Sequence, residues 1–373
     1  MHSPSRNVVV LCSGFGLGFY IPGLLISEKL RCMGATAEVE VFESLLSENK
    51  IDMVEKSRRA YHANFDVALA SLKVPSDIRE SLNRPALELL LARWQGEDRR
   101  DFICLSGHWV PVLERYRELR KDVPIRADLL HLDADIAPSW SQFRKLRADY
   151  AMPYREVRLY DDVRMRVLYS VDVGGGPPLP YSARNDRLVV HGGGWGIGTF
   201  QEHISDLRHT EYALDIICYT RPDTVAATNG RRYFMDDPNW RTWHRNADGE
   251  HTFPPFGEVV SDSQTTSFAR QTRRHGLYGR ICGSLGIVSK PGAGTLIDSF
   301  SSATPVVMLE PFGPHEKRNE AVWEASGFGI PYRVWAAAGH PSSMLEELHV
   351  NLMEQRNSVK DYAQTFLARD AGE

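Results

Sequence analysis

The sequence lacks a strong charge of either sign, since 44 Lys and Arg stand against 48 Asp and Glu for a net charge of -4. That removes the broadly basic surface expected of a nucleic-acid binder, so no nucleic-acid partner is expected. It has no apolar run near the roughly 18–20 residues that cross a bilayer, so no transmembrane segment is expected. Met1 to Asn7 shows no basic stretch leading into an apolar core, which argues against a secretion leader and for a cytoplasmic location. Five cysteines (Cys12, Cys32, Cys104, Cys218 and Cys282) stand far apart with no CxxC pair. They form neither a disulfide framework nor a zinc site, and fit reduced thiols packed in a core. What remains is ordinary globular composition, 42% hydrophobic and 25% charged, over 373 residues. That length exceeds what one core usually serves, so two domains are expected.

The most informative feature present is an internal echo. Val9 to Gly18 reads VVLCSGFGLG and Val189 to Gly198 reads VVHGGGWGIG. Gly14-Phe15-Gly16-Leu17-Gly18 aligns with Gly194-Trp195-Gly196-Ile197-Gly198. Each copy follows a short β-branched run that reads as a buried parallel strand, and each precedes a helix, Pro22 to Leu30 or Thr199 to Leu207. Glycines at such a turn permit close backbone approach, and helix-start amides favour anions. A single copy reads equally well as tight packing. Two copies predict an α/β chain with two Rossmann-like domains.

Other segments keep the alternating order. Ala37 to Phe42, Asp101 to Leu105 and Ile125 to Leu132 read as strands of the first half, and Ala86 to Trp94 reads as an amphipathic helix. In the second half Leu214 to Tyr219, Glu258 to Val260, Leu285 to Ser289 and Pro305 to Leu309 read as strands. Val171 to Asn185, rich in glycine and proline, reads as a linker. The expected division is 1–170, a linker over 171–187, 188–342, and a C-terminal helical piece over 343–373 that packs back on the first domain. Ser343 to Glu346 fits a capping box opening one helix to about Leu367. Tyr233 to Phe256 reads as a long polar loop with no assigned role.

Leu285 to Gly329 lays out strand, glycine turn, helix, strand, polar turn, helix. Pro291-Gly292-Ala293-Gly294-Thr295 would present amides at a helix start with Lys290 beside them, a suitable diphosphate cradle. Asp298, one turn on, is placed to accept from ribose hydroxyls. His315, Glu316 and Asn319 follow the next strand, where ligands of open parallel sheets bind.

This segment resembles the donor domain of nucleotide-sugar glycosyltransferases of the GT-B fold, including the peptidoglycan N-acetylglucosaminyltransferase that makes lipid II and the natural-product glycosyltransferases. The resemblance rests on Gly292-Ala293-Gly294-Thr295, Asp298, Glu310-Pro311-Phe312, and His315-Glu316 with Asn319. Ser13 to Leu24, Leu130 to Asp133 and Val189 to Gly196 extend it over most of the chain. It implies two Rossmann-like domains facing across a cleft and a hexosyltransferase using a UDP- or dTDP-type donor as co-substrate. The acceptor would be a small molecule or lipid-linked, with no metal or other cofactor. Residue by residue, it implies that Lys290, Gly292, Ala293, Gly294 and Thr295 bind the diphosphate and Asp298 the ribose. His315, Glu316 and Asn319 would meet the donor sugar or phosphate, and Gly194 and Trp195 would border the pyrophosphate.

One departure concerns the base. Where many relatives carry a histidine in the first glycine loop, this chain has Phe19, which cannot take a proton. Asp133 and then His131 are the candidate bases, with His108 and Asp135 also at strand ends. Gly14, Phe15, Gly16 and Phe19 would line the acceptor side. Asp133-Ala134-Asp135 has the spelling of a metal-binding DxD, which keeps a metal requirement open. Rival readings are an epimerase of the same fold and a glycosyltransferase-like helper without a base. A methyltransferase, with Glu43 after the second strand, leaves the second glycine unit unexplained. A nicotinamide dehydrogenase fits worse, since neither loop spells GxGxxG.

Overall fold

A computed structural model describes residues 6–73, 78–221, 230–260 and 266–369. Residues 1–5 of the leader reading and 370–373 of the C-terminal piece lie outside it.

The chain opens with β1 (Asn7–Cys12), whose residues Val8 to Cys12 are fully buried, as a parallel strand covered on both faces requires. It turns through the first glycine loop into α1 (Leu17–Cys32) and β2 (Thr36–Val41). There follow α2 (Glu48–Ala63), α3 (Arg84–Gly96), β3 (Asp101–Cys104), β4 (Arg126–His131) and β5 (Arg155–Arg158). The five strands form one parallel sheet in the order β2-β1-β3-β4-β5. Helix α1 begins at Leu17, five residues ahead of the expected Pro22 start, with Gly16 at its N-cap and Pro22 inside the helix. Phe19 and Tyr20 therefore ride on the helix rather than in the loop.

The second unit repeats the plan. It runs β6 (Arg187–Val190), α4 (Phe200–Leu207), β7 (Ala213–Ile217), β8 (Arg231–Asp236), β9 (Phe256–Val259), α5 (Gly276–Gly283), β10 (Gly286–Ser289), α6 (Ala293–Ser302), β11 (Val306–Met308), α7 (Gly313–Ala325) and β12 (Gly329–Pro331). Its sheet order is β9-β8-β7-β6-β10-β11-β12, parallel except where β9 runs against β8. In each sheet the strand that precedes a glycine loop is interior. Both loops thus emerge at the carboxyl edge of their sheets, where the two units face each other.

Two expectations are corrected. Tyr233 to Asp236 belongs to β8, so the loop is shorter than Tyr233 to Phe256. Residues 237–255 are a strap that leaves the second unit and lies on the first. Tyr20 Oη donates to the Thr252 carbonyl at 2.8 Å, Arg245 pairs with Glu40 at 2.7 Å and Arg241 with Glu55 at 3.1 Å. The final helix is also two helices, α8 (Ser342–Arg356) and α9 (Tyr362–Ala368). Pro341, not Ser343, precedes the first, and no side chain caps it. The break arises where Lys360–Asp361 pairs alongside Tyr169–Ser170, after which the Asp361 carboxylate caps α9 through the Gln364 amide at 3.0 Å. Helix α9 lies on the first unit, with Tyr362 Oη donating to Asp128 at 2.8 Å and the Arg6 guanidinium 4.2 Å from the Phe366 ring centre. Among the described residues no helix is long and apolar enough to cross a membrane.

At the far end of α6 the buried Arg184 donates to the carbonyls of Ser302 (2.7 Å) and Ala303 (3.3 Å), of Ser284 (2.8 Å), and to Thr304 Oγ1 (2.6 Å). The negative end of the helix dipole supplies the counter-charge, and the segment around Arg184 is thereby pinned to the end of α6.

Candidate functional site

From Ser289 the chain turns through Lys290, Pro291 and Gly292 into α6. Gly292 is the N-cap, and no side chain caps the helix. The first-turn amides, including those of Ala293, Gly294 and Thr295, have no carbonyl of their own helix to meet, and they carry the positive end of its dipole. The turn faces the other unit: a Cβ placed on Gly294 would stand 3.9 Å from the Cα of Gly18. Lys290 Nζ is ion-paired with Glu316, and the second Glu316 oxygen accepts from the Phe312 amide at 2.7 Å. A Cβ on Gly292 would meet Glu316 Oε1 at 3.0 Å and Lys290 Nζ at 3.2 Å. The front of α6 therefore holds a carboxylate of the chain's own beside the lysine.

Asp298 is not a solvated residue. It is 6% exposed, and its Oδ1 lies 3.0 Å from Nε2 of His275, itself 5% exposed and the N-cap residue of α5. His275 was missed in the sequence, where it belongs to no motif. His191, at the end of β6, was missed as well. Its Nδ1 accepts from the Gly193 amide at 3.1 Å, and burial first, then Lys290, pushes its pKa down to about 3, so it is a neutral imidazole. Burial raises Asp236, at the end of β8, to about 6, against the pull of His275 and Arg58.

The second glycine loop is covered rather than open. Leu17 sits on Gly194, where a Cβ would fall 2.5 Å from its Cβ. Trp195 stacks on Tyr61 of α2 with ring centres 5.9 Å apart, and His62 Nδ1 lies 2.9 Å from the Gly196 carbonyl. Within this loop Gly193 and Gly198 lie against Lys290, with Cβ positions 3.9 Å from its Nζ and 3.7 Å from its Cδ.

The first unit contributes Asp133. Asn319 Nδ2 donates to Asp133 Oδ1 at 2.8 Å and to the Pro291 carbonyl at 2.9 Å, while its Oδ1 accepts from the Ala134 amide at 2.7 Å. The amide of Asn319 is thus taken up by this joint between the units. Burial raises the Asp133 carboxyl pKa, opposed chiefly by His315. His315, 8% exposed, lies within its electrostatic reach.

The other base candidates fall elsewhere. His131 packs on Trp140 with ring centres 4.8 Å apart and reaches Glu156 at 3.1 Å, away from the Asp133 joint. Asp135 is exposed and caps the adjoining Ile136 amide at 2.7 Å, so it diverges from Asp133. Among the described residues no three metal-capable side chains converge. His108 lies against Phe15 (5.4 Å) and Phe42 (5.2 Å), and burial pushes it down to about 4. Phe15 and Phe19 are half-buried and packed on the core. Gly16 has only the Trp195 indole nearby, at 3.9 Å from its Cβ position.

The first glycine turn is already filled by an acid of the chain's own. Glu43 is 1% exposed and accepts from Ser13 Oγ at 2.8 Å and the Gly14 amide at 2.6 Å. Its carboxylate points into the turn, which removes it as the ribose-binding acid of a methyltransferase.

No protein-family model and no curated protein matches the chain. Solved structures match over nearly its whole length. The glycosyltransferase SnogD from Streptomyces nogalater aligns at 12% identity over 98% of this chain and 99% of its own, with a TM-score of 0.53. MurG from Acinetobacter baumannii aligns at 11% identity over 97% of this chain and 98% of its own, with a TM-score of 0.54. Glycosyltransferase VinC in complex with dTDP aligns at 10% identity over 97% and 98%, with a TM-score of 0.56. At such identities the likeness shows the fold: the chain has the GT-B fold, two Rossmann-like units across a cleft.

Proposed function

We propose that this GT-B chain is a hexosyltransferase that moves a sugar from a UDP- or dTDP-type donor to a small-molecule or lipid-linked acceptor in the cytoplasm, without a metal ion. The observation that carries this reading is the joint at Asn319, which ties the acid at the end of β4 in one unit to the glycine turn of the other. Three segments distant in sequence, at Asp133, at Lys290–Thr295 and at His315–Asn319, meet there. The dTDP bound in VinC and the thymidine diphosphate bound in the rhamnosyltransferase SpnG, of the same fold, agree with it.

In this reading the donor's diphosphate displaces the Glu316 carboxylate from Lys290 and takes its place before α6. The lysine and the helix front then stabilise the negative charge that develops on the leaving diphosphate, without reorganising during the reaction. Glu316, released, and His315 face the sugar. Asp133 takes the proton of the acceptor hydroxyl as its oxygen attacks the anomeric carbon, and the raised affinity of its carboxyl for protons suits that task. The neutral, aromatic-walled His108 and the half-buried Phe15 and Phe19 give the acceptor side an apolar face.

The test is to incubate the chain with UDP- and dTDP-sugars and candidate acceptors in excess chelator and to measure nucleoside diphosphate release. Acceptor-dependent release is expected, with Asp133→Asn lowering turnover about 100-fold or more while donor affinity holds. A sugar altered without net release would instead mark an isomerase. Complete loss in chelator that metal restores would implicate Asp133 and Asp135 in metal binding.

A further inference from the structure

We propose that His275 is a positioning residue that fixes the Asp298 carboxylate for the hydroxyls of the donor's ribose or deoxyribose, an assignment that rests on the donor reading above. Asp298 sits on the second turn of α6, one turn behind the amides that face the other unit. Its side chain and that of His275 are 8% and 7% exposed, and their contact is 3.0 Å. A carboxylate so enclosed is costly unless hydrogen-bonded, and His275 supplies the bond to Oδ1.

The histidine is itself held firmly. It is the residue from which α5 starts, and three residues on, Tyr278 Oη bonds Ser301 Oγ at 2.9 Å, fastening α5 to α6. The imidazole therefore enters along a path set by two packed helices, not by a mobile loop. With Oδ1 bonded to His275, the direction of Oδ2 is also fixed. Asp236 and His191 complete the surroundings, each close enough to His275 for its charge to be felt. All four residues lie at the carboxyl edge of the second sheet, the side from which open parallel sheets take nucleotides.

A carboxylate presented in one orientation adds affinity only for a ligand carrying a hydroxyl there, whereas a merely structural His–Asp pair does not discriminate among ligands. Calorimetry with uridine and thymidine diphosphates and their 2′,3′-dideoxy analogues separates the two. The wild-type protein is expected to bind the hydroxyl-bearing nucleotide about 10-fold or more tighter than its dideoxy analogue, as for a hydrogen bond to a charged group. His275→Leu is expected to bring that ratio close to one while leaving the dideoxy affinity within about twofold, and His275→Gln, which keeps a donor, to preserve most of it. Should the leucine variant not fold, His275→Asn, too short to reach Oδ1, carries the same expectation. A wild-type ratio near one, a leucine variant that keeps the ratio, or one that weakens both ligands equally would overturn the assignment and leave the donor site standing. Failure of the wild-type protein to bind any of these nucleotides would overturn the donor reading and this assignment with it.

Discussion

Glu43 shows how a single residue changes the meaning of a motif. The turn at Ser13-Gly14 has the donors of a phosphate loop, yet it encloses a carboxylate from 30 positions away. Burial raises that carboxyl from 4.5 to about 7, against the pull of the Gly14 amide and Ser13 hydroxyl. A raised acid favours the folded state while protonated, so its contribution is fully present below the unfolded carboxylate range and is lost as pH rises through about 7. Urea unfolding is expected to show stability falling between about pH 4.5 and about pH 7. Glu43→Gln should remove about 2–3 kcal/mol of that fall, and an unchanged pH dependence would contradict the burial argument. Neither this contact nor the His275–Asp298 pair was legible in the sequence. Each is made by residues that no motif or period relates, and the chain brings them together only once the sheets are built.

At the scale of elements, the sequence was most readable where burial is most complete. Strands β1, β6 and β10 are apolar runs because both faces of a parallel strand are covered, and their positions follow from that alone. The helix after β1 was placed too late because Pro22 reads as a start signal, although the helix tolerates it within. The strap at 237–255 was unreadable, since its partners Tyr20, Glu40 and Glu55 all belong to the other unit. It makes the first loop steric as well as electrostatic: a Cβ on Gly14 would lie 2.5 Å from Thr242 Cβ. Gly14→Ala is expected to cost about 1–3 kcal/mol in chemical unfolding, and adding Thr242→Gly should recover most of it. No recovery would show that the strap is not what limits this position.

In the whole molecule, the two units are held together at several independent places: the strap, α2 over the second glycine loop, the Asn319 joint, and α9 docked beside Asp128. Together they bring the two glycine turns edge to edge, with Lys290 between Glu316 and the loop at Gly193. The internal echo announced this arrangement, because two equivalent turns at two sheet edges can share one cleft. It did not announce that one turn would be filled by Glu43 and the other covered by Leu17. The most direct measurement is the affinity of the wild-type protein and of Lys290→Ala for UDP and dTDP by titration calorimetry in chelator. Wild-type binding that weakens about 10-fold or more in the variant is the expected result, for a lysine paired with phosphate oxygens. Equal affinities for the two proteins, or no binding by either, would contradict a diphosphate seat at the front of α6.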